Sequence, residues 1–217
     1  MSEIDRGWIA AYLITATAAV AAGFLNYAVR DWLEAGGAET PFGVTMIYAA
    51  VSAVLIAGSC AVYAWFTGAV LRQIAPAFPG RQWLALHLAI GVVTGFGLAL
   101  TYTAPTGEPD DWSETGLLEW TLLVLLFLAA FALVGAAIGS LEALVLRRAA
   151  EGMRNWIAIS ALAAAVMVLT AIPVLLFYPA DGTFVREVAT EGVVFVSAVA
   201  GGFVMLLALR RLRPRTA

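Results

Sequence analysis

Residues 121–141 read TLLVLLFLAAFALVGAAIGSL, 21 positions without one ionisable side chain. At about 1.5 Å per residue such a helix is about 30 Å long, the thickness of a bilayer's hydrocarbon core, and a soluble core helix is rarely apolar on every face for so long. Trp120 precedes the stretch, and Glu142 and then Arg147-Arg148 follow it, the aromatic and basic flanks of a membrane span. The chain is therefore expected to be solvated by lipid.

The rest of the sequence repeats this theme. Its 217 residues are 62% hydrophobic and 12% charged, with mean hydropathy +0.91, whereas about a quarter of residues are charged in soluble proteins. Six spanning segments are predicted, at about 8–29, 45–71, 83–103, 120–146, 156–178 and 190–209. The polar interruptions near 31–40, 105–115 and 180–190 leave no room for a soluble domain, so residues 1–217 are expected to form a single membrane domain, an all-α six-transmembrane-helix bundle. The N-terminus, MSEIDRGW, lacks a basic n-region, so the first apolar segment is read as a retained helix. Short connections predict that sequence neighbours are antiparallel neighbours in space.

Arginine sets the orientation, because the chain has no lysine. Arg6, Arg72, Arg81, Arg147, Arg148, Arg154, Arg210, Arg211, Arg213 and Arg215 fall on one side, and only Arg30 and Arg186 on the other. The positive-inside rule then places both termini in the cytoplasm, as expected for a bacterial inner-membrane protein. The opposite side carries Asp31, Glu34, Glu39, Glu108, Asp110, Asp111, Glu114, Asp181 and Glu187. That belt reads either as a solvated face or as a surface drawing cations or a basic partner.

The arginine-side helix ends also repeat. Trp8, Trp83 and Trp156 each follow a charged residue (Arg6, Arg81, Arg154) and open an odd-numbered segment, while AVLRQ at 69–73, LVLRR at 144–148 and LALRR at 207–211 close the even-numbered ones. Three helical hairpins in one orientation are expected, parallel repeats related by an axis along the membrane normal. With segments that open on Trp and stop near Pro, at 83–105 and 156–179, the layout resembles small bacterial six-helix proteins built from tandem hairpins, such as the HdeD-like membrane proteins. The resemblance is architectural and carries no residue roles, and the long acidic loop 105–115 departs from it.

Candidate sites follow from polarity held at depth. His87 lies four residues inside Trp83 and Glu142 five inside Arg147, so both sit at similar depth on sequence-adjacent antiparallel helices and are expected to be neighbours. Their pairing reads either as a buried hydrogen bond or as part of a proton or cation path. Hydroxyl stripes run through His87, Thr94 and Thr101, through Ser59 and Tyr63, and through Tyr12, Thr15 and Asn26. Such stripes line a hydrated path or bond back to the backbone and across helix contacts. Asn26 and Arg30 have Tyr102 and Glu119 as candidate partners, with Asp31 the nearer one for Arg30. Gly91 and Gly95, Gly135 and Gly139, and Ala198 and Gly202 are small pairs four apart, expected at helix contacts within the bundle or between copies. Arg210, Arg211, Arg213 and Arg215 anchor the last helix and can meet anionic lipid head groups. Pro173 is expected to kink the fifth segment.

Absences narrow the chemistry. One histidine and one cysteine, Cys60, cannot build a zinc, iron–sulfur or bis-histidine haem site within this chain, and no Walker, HExxH or GxSxG motif occurs. Neither an enzyme nor a cofactor or metal is expected, and nucleic acid is not an expected partner. Two functions stay open. One is passage of a small solute or ion, a proton or cation, along the stripes; the other is a non-catalytic accessory or assembly subunit, whose partners would be other membrane subunits or copies of itself.

Overall fold

The structure, a computed structural model, describes residues 2–35, 42–103, 117–176 and 184–215. Six helices account for nearly all of it: α1 (Glu3–Ala35), α2 (Phe42–Ile74), α3 (Gly80–Thr103), α4 (Leu117–Leu146), α5 (Met153–Leu176) and α6 (Phe184–Leu209). A two-residue strand β1 (Ala150–Glu151) pairs antiparallel with β2 (Arg213–Pro214) at the arginine-rich end. Between β1 and α5 the chain turns at Gly152, whose φ of 100° suits glycine alone without strain. The helices overrun the segments expected from hydropathy because their ends continue past the apolar stretch into polar sequence. In α1, for example, Ser2 and Asp5 cap the first turn reciprocally, each backbone N–H donating to the other side chain at 3.1 Å.

Among the described residues, five helices are long and apolar enough to cross a membrane: those in α1, α2, α4, α5 and α6. They fit a membrane location. The sixth helix, α3, is not among the five; it opens on Gly80-Arg81-Gln82 and carries His87. Pro173 lies within α5, which stays helical to Leu176.

Packing follows a ring. α1 lies against α2 and α6, α2 against α3, α4 against α5, and α5 against α6. Sequence neighbours touch, as expected, but α3 and α4 do so at few points. The reason is where the small residues lie. A Cβ on Gly91 would meet the Ala57 backbone of α2 at 2.6 Å, and Gly95 lies as tightly on Ala53; Gly135 and Gly139 press on Ser160 of α5. α3 and α4 thus turn their close-packing faces away from each other, toward α2 and α5.

The largest buried cluster sits at the arginine-rich end. Trp8, Trp83 and Trp156 are wholly buried there, with Leu71, Leu146 and Leu209, each one residue before an arginine, at 2% exposure or less. Arg210 grips Asp5 through two bonds, Nη2 to Oδ2 at 2.9 Å and Nε to Oδ1 at 3.2 Å. The first and last helices therefore end at the same end of the bundle.

Candidate functional site

Two polar features stand inside the bundle. The first is an aromatic plug at the arginine-rich end. Ring contacts run from Trp8 to Tyr12, Tyr63, His87, Trp83, Trp156 and back to Trp8, with centroids 4.4 to 6.3 Å apart. Each indole N–H crosses to the preceding even-numbered helix, taken cyclically. Trp83 donates to Thr67 Oγ1 on α2 at 3.2 Å, Trp156 to Glu142 Oε2 on α4 at 2.8 Å, and Trp8 to the Gly202 carbonyl on α6 at 3.3 Å. An indole N–H has no second role and must find an acceptor when buried. The three tryptophans therefore tie together the same helix pairs that the small residues bring close.

At the centre of the plug His87 and Glu142 meet, Nε2 to Oε1 at 3.0 Å, both 4% exposed. The imidazole's other nitrogen, Nδ1, lies 2.8 Å from the Trp83 carbonyl. A carbonyl oxygen only accepts, so Nδ1 carries a proton. One further proton then lies between Nε2 and Oε1, and whichever atom holds it, the pair is neutral as a unit. Neutrality is what a site at this depth demands, since an uncompensated charge there is costly. Tyr12 and Tyr63 close the plug through their hydroxyls at 3.2 Å, and Thr67 donates to the Tyr63 carbonyl at 2.6 Å.

The second feature is a cavity of about 260 Å³ between α1, α2 and α6. Asn26 organises its polar wall, donating from Nδ2 to Tyr48 Oη at 2.8 Å and accepting from Ser52 Oγ at 2.7 Å. Glu191 of α6 reaches the same space and is 5% exposed. Its carboxylate rests on Gly23, where any Cβ would collide with it. The register is that of two antiparallel helices: Gly202 lies on the Tyr12 ring and, eleven residues along each helix, Glu191 lies on Gly23.

The residues expected to line a path divide between these features. Tyr12, Tyr63, His87 and Glu142 come together in the plug; Asn26 and Ser59 line the cavity. Ser59 points its hydroxyl at the Leu55 and Ala18 carbonyls, and Thr15 bonds back to the Ala11 carbonyl at 2.8 Å. Thr94 is exposed, and the side chain of Thr101 lies outside the described residues. Asn26 bonds Tyr48 and Ser52, Arg30 pairs with Asp31 at 2.9 Å, and the side chain of Tyr102 lies outside the described residues. The stripes thus do not all share one channel. Ala198 is half-buried on α6, one turn from Gly202. Among the terminal arginines, Arg210 holds Asp5 and Arg215 donates to the Arg147 carbonyl at 3.0 Å, whereas Arg211 and Arg213 are exposed. Glu39, Glu108, Asp110, Asp111, Glu114 and Asp181 of the acidic belt lie outside the described residues.

Glu191 was not singled out by the sequence, because it sits at the start of a hydropathy-defined segment and reads as a boundary residue. The signal that finds it is positional. Seven and eleven residues on come Ala198 and Gly202, so Glu191 shares the small-residue face that packs on α1.

Comparison of the chain with known protein families, with curated proteins and with solved structures finds no match. The class is defined by the fold and the two features: an all-helical bundle fitting a membrane, with aromatic rings packed at one end and a largely apolar cavity with one polar wall toward the other.

Proposed function

We propose that this chain is a polytopic inner-membrane protein that admits a small solute or ion to the cavity between α1, α2 and α6 and keeps its cytoplasmic end closed with the aromatic plug. The pairing of a polar-walled cavity with a wholly buried tryptophan plug carries this reading. It is one half of a passage, open on one side. Both termini are assigned to the cytoplasm on the arginine bias, with the Asp5–Arg210 pair in support, since it holds the first and last helices to one end. Six crossings are assigned, α3 completing the set, because His87 is neutralised by Glu142 and Gly91 and Gly95 seat α3 on α2. The cyclic indole bonds, together with the matching Trp starts and arginine ends, support three parallel hairpin repeats about a central axis. The role is non-catalytic, with lipid as the standing partner and Arg211 and Arg213 placed for its head groups.

One observation favours an accessory subunit instead. α4 meets α3 at few points and exposes Leu122, Leu125, Leu126, Phe127 and Phe131. A face of this kind meets lipid or docks on another subunit. Extraction of the native protein in a discrete complex with other chains would select that reading.

The passage reading is tested by cysteine accessibility in a Cys60→Ala background in sealed vesicles. Ala22 lines the cavity, while Ala16 on the same helix is wholly buried. A small membrane-impermeant methanethiosulfonate is expected to modify Ala22→Cys from the face opposite the termini only, and Ala16→Cys from neither. An Ala22→Cys that stays unreactive from both faces would overturn the reading.

A further inference from the structure

The cavity contains a carboxylate, Glu191, with no ion-pair partner among the described residues. No hydrogen bond reaches it among the described residues either; the residue is only 5% exposed, and its carboxylate opens on the cavity. This is unlike Glu142, which the same bundle satisfies completely with His87 and Trp156. Glu191 lies 19 residues before Arg210, about 28 Å along α6, so the plug is too distant to supply a partner. The other full charge on the cavity wall, Arg30, is turned to Asp31 at 2.9 Å. An ionisable group held inside a helix bundle near the membrane edge without a structural partner marks a place where a ligand or ion is handled.

Three occupants would neutralise it, and the geometry separates them. A divalent metal ion is usually held by several carboxylates; here there is one carboxylate, the Asn26 amide is engaged with Tyr48 and Ser52, and no group of three or more His, Cys, Asp or Glu residues occurs among the described residues. A bare proton needs no space, yet about 260 Å³ is kept open beside the carboxylate, just under the roughly 300 Å³ at which small-molecule pockets begin. Apart from the polar wall the lining is apolar, with Leu55, Ile56 and Val194. Gly23 is the device that seats the carboxylate, since any side chain there would drive it out. A charged head with a short hydrocarbon body fits both halves of such a space.

Resting on the reading of this cavity as the ligand entrance, we infer that the occupant is a small organic cation, an ammonium group on a compact apolar body, held through its N–H groups by Glu191. The ammonium donates to the carboxylate, the strong form of hydrogen bond because both partners are charged. The body displaces the solvent from the apolar wall. A neutral isostere keeps the second contribution and loses the first; an anion meets like charge.

The test uses the purified full-length Cys60→Ala, Ala22→Cys protein and the neutral reagent methyl methanethiosulfonate, with benzylammonium as probe. Benzylammonium is expected to slow modification about tenfold, the scale of one charge-assisted bond, while benzyl alcohol and benzoate at the same concentration leave the rate within about twofold. Added Glu191→Gln should abolish the protection with the cysteine still reactive, and Glu191→Asp should retain part of it. A reactive cysteine that benzylammonium does not protect overturns the cation site and leaves the entrance standing. Equal protection by benzyl alcohol reduces the cavity to an apolar pocket and overturns it too, as does protection that survives Glu191→Gln. An unreactive cysteine overturns the entrance itself, and the cation site with it. If Glu191→Gln fails to fold, the three benzyl probes still decide the matter on the carboxylate-bearing protein.

Discussion

Glu142→Leu is expected to destabilise the bundle by about 3 kcal/mol, the scale of breaking a buried pair by removing one partner. Glu142 shares a hydrogen bond with His87 through one oxygen and accepts from Trp156 through the other. Leucine removes both acceptors at once and leaves the Trp156 N–H and the His87 Nε2 facing hydrocarbon, where neither finds water. The loss falls where α3 and α4 have little else between them, so the seam between those helices is expected to open first. Glu142→Gln discriminates the cause. Its amide oxygen can accept from Trp156 while its NH₂ donates to an unprotonated His87 Nε2, and Nδ1–H still bonds the Trp83 carbonyl. The Trp156 N–H and both imidazole nitrogens are then met without charge, only the second amide N–H going without an assigned acceptor, and the expected cost is about 1 kcal/mol. Reversible unfolding in mixed micelles measures both variants. Equal costs for leucine and glutamine would show that ionic charge, rather than satisfied hydrogen bonding, holds the pair.

Gly95→Ala is expected to cost about 2 kcal/mol by overpacking, and Gly97→Ala to be neutral or stabilising by up to about 1 kcal/mol through helix propensity. The two glycines sit two residues apart on α3, so composition does not distinguish them. A Cβ on Gly95 would overlap the Ala53 Cα and lie 2.8 Å from both Ala53 N and the Ser52 carbonyl oxygen, all backbone that cannot rotate aside; at Gly97 nothing lies within 4 Å. Helix association in lipid depends on this close approach, because no hydrophobic drive replaces it. The consequence reaches the cavity. The turn of α2 that Gly95 touches carries Ser52, which bonds Asn26, so Gly95→Ala should also raise the reactivity of Ala22→Cys. The same micelle unfolding and thiol assays check the pair, and a Gly95→Ala protein as stable as Gly97→Ala would mean that α2 and α3 are not in this register.

Much of the fold was legible because lipid solvation acts on the sequence directly. Long runs without charge, Trp at their starts and Arg at their ends are sufficient to place helices, since each responds to the water–hydrocarbon boundary and not to a neighbour. The meeting of His87 with Glu142 was legible for a related reason: equal depth on consecutive helices, together with the cost of leaving either alone, left few alternatives. The hydroxyl stripes are less legible. Thr15 and Ser59 bond to carbonyls of the helices themselves, a choice open to any Ser or Thr in a helix and invisible in spacing. Glu191 was missed because a hydropathy window treats a carboxylate at a segment edge as a boundary, whatever covers it.

By itself the sequence determined that the chain is helical, that it fits a membrane, where its helices lie and which ends carry arginine, because these depend on each segment's transfer from water to lipid. Only the tertiary structure decided which helices touch. It set Gly95 against Ala53 and Glu191 against Gly23, turned α3 away from α4, and converted three tryptophans distant in sequence into one plug. Those outcomes rest on ångström-scale fit between side chains of different helices and on which donor finds which acceptor, and neither is a property of any segment taken alone.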